Sequence, residues 1–155
     1  VIRGFQREKL DDFTRADWDA LINMLVGHYD ELTLNKAVVK LAPKWDEYFL
    51  LEEMGRFVVY TARDDAGTLV GYNAFFINTH MHYAGLTLAV NDVFYLHPAH
   101  RRGPAALRFL RYTEGALKAL GAQKVAYHFK RSNNFGLILS RLGYADEEGV
   151  VGKII

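Results

Sequence analysis

The sequence predicts an α/β protein of one domain, and three observations carry that reading. Strand-like and helix-like stretches alternate along the whole chain. An apolar stretch ending at His97-Pro98 runs through a basic, glycine-containing turn into a long amphipathic stretch, the order of a strand, a tight turn and a helix. The 155 residues, half of them hydrophobic, suffice for one sizeable core, and no repeat, low-complexity tract or linker divides them.

In chain order, residues 1–5 read as a short first strand. Thr14-Arg15-Ala16-Asp17 has capping-box spacing, in which threonine and aspartate side chains take up each other's backbone N–H groups. Trp18, Leu21, Ile22, Leu25, Val26 and Tyr29 recur at helical spacing, so a first helix is predicted over 17–30. Residues 31–41 either extend it or form a loop; Pro43 breaks the pattern, and a second helix is predicted over 44–54, before Gly55. Residues 56–63 are rich in β-branched and aromatic side chains and read as a strand. Asp64-Asp65-Ala66-Gly67 is a hairpin turn, 68–78 the returning strand, 79–85 a polar loop, and 86–97 the strand that enters the basic turn.

Pro104 opens the long helix, because proline lacks the N–H that goes unpaired at a first helical position. Ala106, Phe109, Leu110, Ala116, Leu117 and Leu120 form its apolar stripe, and Gly121 stops it. A strand over 124–129, a short helix over 133–142 ended by Gly143, and a final hairpin over 144–155 through Glu147-Glu148-Gly149 complete the chain. Residues 86–129 thus form a βαβ crossover, expected to be right-handed.

Composition narrows the function. Aromatic residues make up 14% of the chain, which argues against disorder, and the absence of cysteine removes disulfides, thiolate metal sites and cysteine nucleophiles. No apolar run is long enough for a membrane span, and Val1-Ile2-Arg3-Gly4 is not a signal peptide; a cytoplasmic location is expected. A formal net charge of +1 gives no global case for nucleic acid or an anionic membrane. His80-x-His82 and His97-x-x-His100 fall at loops without a carboxylate or cysteine cluster and read as surface residues, so no metal site is expected.

The basic turn is the strongest local signal. A strand, a tight turn and a helix aim free backbone N–H groups at whatever lies beyond the strand end, where the helix dipole adds partial positive charge and Arg101 and Arg102 add full charges. Two readings stay open on local physics: a phosphate or pyrophosphate site, or a solvated Arg-Arg turn before an ordinary helix. By period-two alternation Asp92 shares a side of its strand with Phe94 and Leu96, and an aspartate in an apolar strand needs a partner if buried. His128 lies at the end of the next strand, where histidines are commonly surface or satisfied core residues.

The stretch Phe94-Tyr95-Leu96, Pro98, then Arg101-Arg102-Gly103-Pro104-Ala105-Ala106 resembles the acetyl-CoA-binding motif of the GNAT (Gcn5-related) N-acetyltransferases: a hydrophobic strand, a proline, then Arg/Gln-x-x-Gly-x-Gly/Ala opening a helix. Pro104 stands where that family usually has glycine, and Gly103 lies one place earlier. Asn133 through Gly143-Tyr144 resembles the family's later "Asn … Gly-Phe" helix and strand. The resemblance implies a mixed sheet with helices on both faces, acetyl-CoA as cofactor, and transfer of acetyl to a primary amine of a small molecule or protein. A homodimer stays open as a further partner.

It further implies that the backbone of Phe94, Tyr95 and Leu96 holds the pantetheine arm, that a backbone N–H near Leu96 serves the thioester oxygen, and that residues 102–106 cradle the pyrophosphate, with Arg101 or Arg102 reaching a phosphate and Asn133 belonging to the same cofactor site. The family's usual tyrosine acid would fall at Leu139, so that role is vacant or filled elsewhere. Some relatives carry a catalytic histidine at the position of Asp92 and a glutamate base at that of His128; His128 as base and Asp92 as its orienting partner or the ammonium-binding group is the expected pair. The acceptor would be bound near Tyr29, Asp30, Glu31 and the loop 80–83. Two rivals stand beside the enzyme. One is a GNAT-like domain that binds CoA or a protein partner without catalysis. The other is a nucleic-acid binder using Arg101, Arg102, Arg108, Arg111, Lys130 and Arg131, against which net charge argues.

Overall fold

A computed structural model describes all 155 residues, Val1–Ile155. Five strands form one sheet in the order β1-β2-β3-β4-β5: β1 Ile2–Glu8, β2 Phe57–Asp64, β3 Leu69–His80, β4 Tyr83–Leu96 and β5 Lys124–Ala126. Neighbours are antiparallel except β4 and β5, which run parallel and are joined through α3, Ala105–Ala119. The mixed sheet carries α1 (Arg15–Leu32) and α2 (Trp45–Glu53) on one face and α3 on the other, with Phe135 of α4 (Phe135–Arg141) packed on Phe94 of that second face.

Two apolar layers follow from strand alternation. Val58, Tyr60, Ala62, Phe75, Ala89 and Leu96 meet Phe109 and Leu117 of α3, while Phe57, Val59, Tyr72, Ala74 and Tyr95 meet Leu21 and Met24 of α1. The capping box is present: Thr14 Oγ1 accepts from the Asp17 N–H at 3.2 Å, and Asp17 Oδ2 accepts from the Thr14 N–H at 3.0 Å. Asp17 and Glu8 both hold Arg63, at 2.6 Å and 2.9 Å, so β1, α1 and β2 are tied by one shared guanidinium.

Several boundaries differ from expectation. Residues 79–85 are no loop: β3 and β4 continue to a tight turn at Met81-His82, where the rings of His80 and Tyr83 lie 4.6 Å apart. β5 stops at Ala126 because its partner β4 leaves it; the two pair only over Leu88–Val90 and Lys124–Ala126. α3 begins at Ala105, with Pro104 as its cap rather than its first residue. Leu120 is exposed, and Thr113 takes the buried place in the stripe, its hydroxyl donating to the Phe109 carbonyl at 2.6 Å. Residues 144–155 form no hairpin. Glu147 is drawn to Lys124 and Asp146 to Arg131, and adjacent like charges with Gly149 and Gly152 leave few good strand formers.

Candidate active site

The site is built around a β-bulge. Along the β3–β4 ladder Ala74 faces Val93 but Phe75 faces Asn91, so Asp92 is the extra residue on β4. The side chain of Asn91 pins the bulge: its Nδ2 donates to the carbonyls of Ala74 at 3.0 Å and Val93 at 3.2 Å, and to Asn73 Oδ1 at 2.8 Å. Asn73 in turn donates to Thr113 Oγ1 and to the Tyr127 hydroxyl, both at 3.1 Å, which fixes α3 and the end of β5 against the same point. The extra residue reverses the expected side of Asp92. Phe94 and Leu96 belong to the α3 layer, whereas Asp92 accepts a 2.8 Å hydrogen bond from Tyr48 of α2, on the opposite face.

The bulge also opens the sheet. Beyond Val90, β4 and β5 no longer pair, and a gap begins between them. The His97 N–H donates to the Val70 carbonyl, so by ladder alternation Tyr95 spends its backbone groups on β3 while those of Phe94 and Leu96 face the gap. The expectation that Tyr95 offers its backbone to a ligand is therefore corrected. The Leu96 carbonyl accepts from Arg101 Nε at 2.7 Å, leaving the Leu96 N–H and both Phe94 groups for the gap. The rings of Phe94 and Phe135 stack at 5.0 Å beside it.

α3 starts at the strand ends bordering this gap. The N–H groups of Arg102, Gly103, Ala105, Ala106 and Leu107 have no acceptor within the protein, and no side chain caps the helix. Gly103 makes the turn by adopting φ +70°, the left-handed region open to glycine. Arg102 is exposed at this turn, whereas Arg101 points away from it: its guanidinium grips Glu31 of α1 with both nitrogens, at 2.9 and 3.0 Å. Of the two arginines expected to reach a phosphate, Arg101 is therefore committed to Glu31 and Leu96, while Arg102 is exposed at the turn. Asn133 uses its Oδ1 to accept from the N–H of Phe135, the first residue of α4, at 3.0 Å.

Asp92 and His128 are not brought together. No hydrogen bond or ion pair links them; Asp92 is half-buried against Tyr48, and His128 is exposed past the end of β5. Burial pushes the Asp92 carboxyl above its ordinary range, and the Tyr48 hydrogen bond offsets only part of that. Leu139, at the position of the missing tyrosine, is buried. Three site residues went unrecognised in the sequence: Tyr48, Tyr72 and His28. Tyr72 is buried on the face of Asp92, its hydroxyl 3.1 Å from His28 Nδ1, and burial lowers the His28 pKa so that the ring is neutral near pH 7. An open hollow of about 310 Å³ is walled by Pro43, Tyr48, Leu51 and Phe76, Tyr48 being the one residue it shares with this group. A larger hollow, of about 490 Å³, lies between α2 and residues 9–11 and touches none of these residues.

No family model matches the sequence, and no curated protein matches it. Solved structures do match in fold. A Trypanosoma brucei acetyltransferase superposes with a TM-score of 0.71 at 11% identity, covering 98% of this chain and 99% of that one. Glucosamine-6-phosphate N-acetyltransferase from Arabidopsis thaliana matches with a TM-score of 0.71 at 13% identity, covering 98% and 99%. Ribosomal-protein-alanine N-acetyltransferase from Brucella melitensis matches with a TM-score of 0.67 at 18% identity, covering 98% and 99%. The fold is that of the GNAT acetyltransferases.

Proposed function

We propose that the protein is an acetyl-CoA-dependent N-acetyltransferase acting on a primary amine. The observation that carries this is the run of unpaired amides over 102–107, set at the mouth of the gap between β4 and β5. Such amides, with the helix dipole and Arg102, suit a pyrophosphate. The free backbone groups of Phe94 and Leu96 suit the amides of a pantetheine arm laid along β4 like an added strand. Bound there, the thioester supplies the acyl group.

On the other face of the bulge, Asp92 receives the amine. A protonated amine is held by the carboxylate, and because burial raises the affinity of that carboxylate for protons, Asp92 also removes one, making the amine nucleophilic. Tyr48 fixes the carboxylate through Oδ2 and leaves Oδ1 for the substrate. His128, exposed and unpaired, is not needed as the base in this scheme.

A second reading, a domain that binds CoA without catalysis, is favoured by one observation: buried Leu139 at the family's acid position. The test is a panel of amines incubated with labelled acetyl-CoA and read by mass spectrometry. Acetylated product growing with time and lost in Asp92→Asn supports the enzyme. Saturable CoA binding with no product from any amine supports the second reading.

A further inference from the structure

Arg101 stands immediately before the unpaired amides yet turns its back on them, and we infer that Arg101 and Glu31 are positioning residues that couple occupancy of the cofactor turn to the acceptor side of the cleft. This rests on the function proposed above. Each of the three guanidinium nitrogens is engaged: both terminal nitrogens with Glu31, at 2.9 and 3.0 Å, and Nε with the Leu96 carbonyl at 2.7 Å. The guanidinium also lies 4.9 Å over the ring of Tyr95, whose hydroxyl donates to Glu31 Oε1 at 3.0 Å. A forked guanidinium held this way cannot follow a movement of its turn without pulling its partners.

Those partners lie on the other side of the site. Glu31 is in the last turn of α1, and His28, one turn earlier, stacks on Tyr95 at 5.2 Å while meeting the Tyr72 hydroxyl. α1 passes so close that a Cβ added at Gly27 would lie 2.9 Å from the Tyr95 hydroxyl oxygen. The chain leaving α1 leads through residues 33–42 to Pro43 and on to Tyr48, which wall one hollow, and Tyr48 is also the hydrogen-bond partner of Asp92. One ion pair therefore joins the anion turn to the segment that would contact the acceptor. Arg101 and Glu31 are 40% and 38% exposed, so as a plain surface pair they would add little to stability. Their value lies in what they connect, and any coupling must act in both directions.

The test measures CoA affinity by calorimetry, and acceptor KM and kcat by turnover, in the wild type, Glu31→Gln, Arg101→Lys and the double variant. Coupling predicts that each single change weakens CoA binding about fivefold or more, although Glu31 touches none of the unpaired amides, with the double variant no worse than the singles. Acceptor KM should rise in the same variants while kcat, set at Asp92, holds. Folded variants with unchanged CoA affinity and acceptor KM, whatever their melting temperature, would make the pair a simple brace and overturn the inference. A wild type without affinity for CoA would overturn the proposed function itself, and the inference with it.

Discussion

The two faces of the sheet are held by different chemistry. On the α3 face the buried polar groups are amides and hydroxyls: Asn73, Asn91, Thr113 and Tyr127 form one hydrogen-bonded network at the bulge, and the Tyr60 hydroxyl is buried without a partner. On the α1–α2 face the paired groups carry titratable side chains: Asp92 with Tyr48 and His28 with Tyr72 in its interior, and Glu31 with Arg101 at its exposed edge. A neutral network sets a backbone shape that does not depend on pH, whereas a titratable one can move protons and charge. The α3 face thus makes the bulge, and the opposite face uses it, because the bulge turns Asp92 toward α2.

The largest effect should come from the titratable face. Asp92→Asn is predicted to lower kcat/KM by about 10²–10⁴-fold, the usual worth of a general base. The same change should raise stability at neutral pH. Burial raises the carboxyl pKa in the folded protein, so Asp92 disfavours folding once ionised, and this cost disappears as falling pH protonates it. Urea denaturation of both proteins at neutral and acid pH checks this; a variant less stable than wild type at neutral pH would break the contrast between the faces.

Next, on the α3 face, Leu110→Ala should cost roughly 2–5 kcal/mol, since Leu110 is 1% exposed. That loss should be the same at acid and neutral pH, because no titratable group contacts are removed. Asn91→Ala should cost less, about 1–3 kcal/mol from the buried partners it leaves unpaired. Its more telling result would be activity lost together with weakened CoA binding, as the bulge that opens the gap relaxes and Asp92 is no longer held toward Tyr48. The smallest effect concerns His28. Its pKa is lowered by burial, so the stability its neutral ring contributes is present above the ordinary histidine range and is lost as pH falls through the lowered value. His28→Gln should flatten that part of the stability profile, measured by thermal melts across the acid range.

The sequence made the elements legible wherever local periodicity decides them. Thr14 and Asp17 named the start of α1, and the strand, basic turn and helix around residues 94–106 named the anion turn. What it could not show depends on contacts between distant residues. The side of Asp92 is set by the register of β3 against β4, which no alternation rule within one strand contains. The inward turn of Arg101 is set by Glu31, which lies 70 residues earlier in the chain. Tyr48, also remote from Asp92 in sequence, carries no motif. The tail's hairpin had strand-like residues, but Glu147, expected in its turn, is drawn to Lys124, and the preceding Asp146 to Arg131.

The central claim is that the gap beyond the bulge and the amides of the α3 turn form one acetyl-CoA site. A titration of the isotope-labelled protein with CoA, followed by backbone amide resonances, tests it most directly. The predicted result is saturable shifts of Arg102, Gly103, Ala105, Ala106 and Leu107 together with Phe94 and Leu96, at one shared affinity. Saturable shifts confined to other parts of the chain, or none at millimolar CoA, would contradict it.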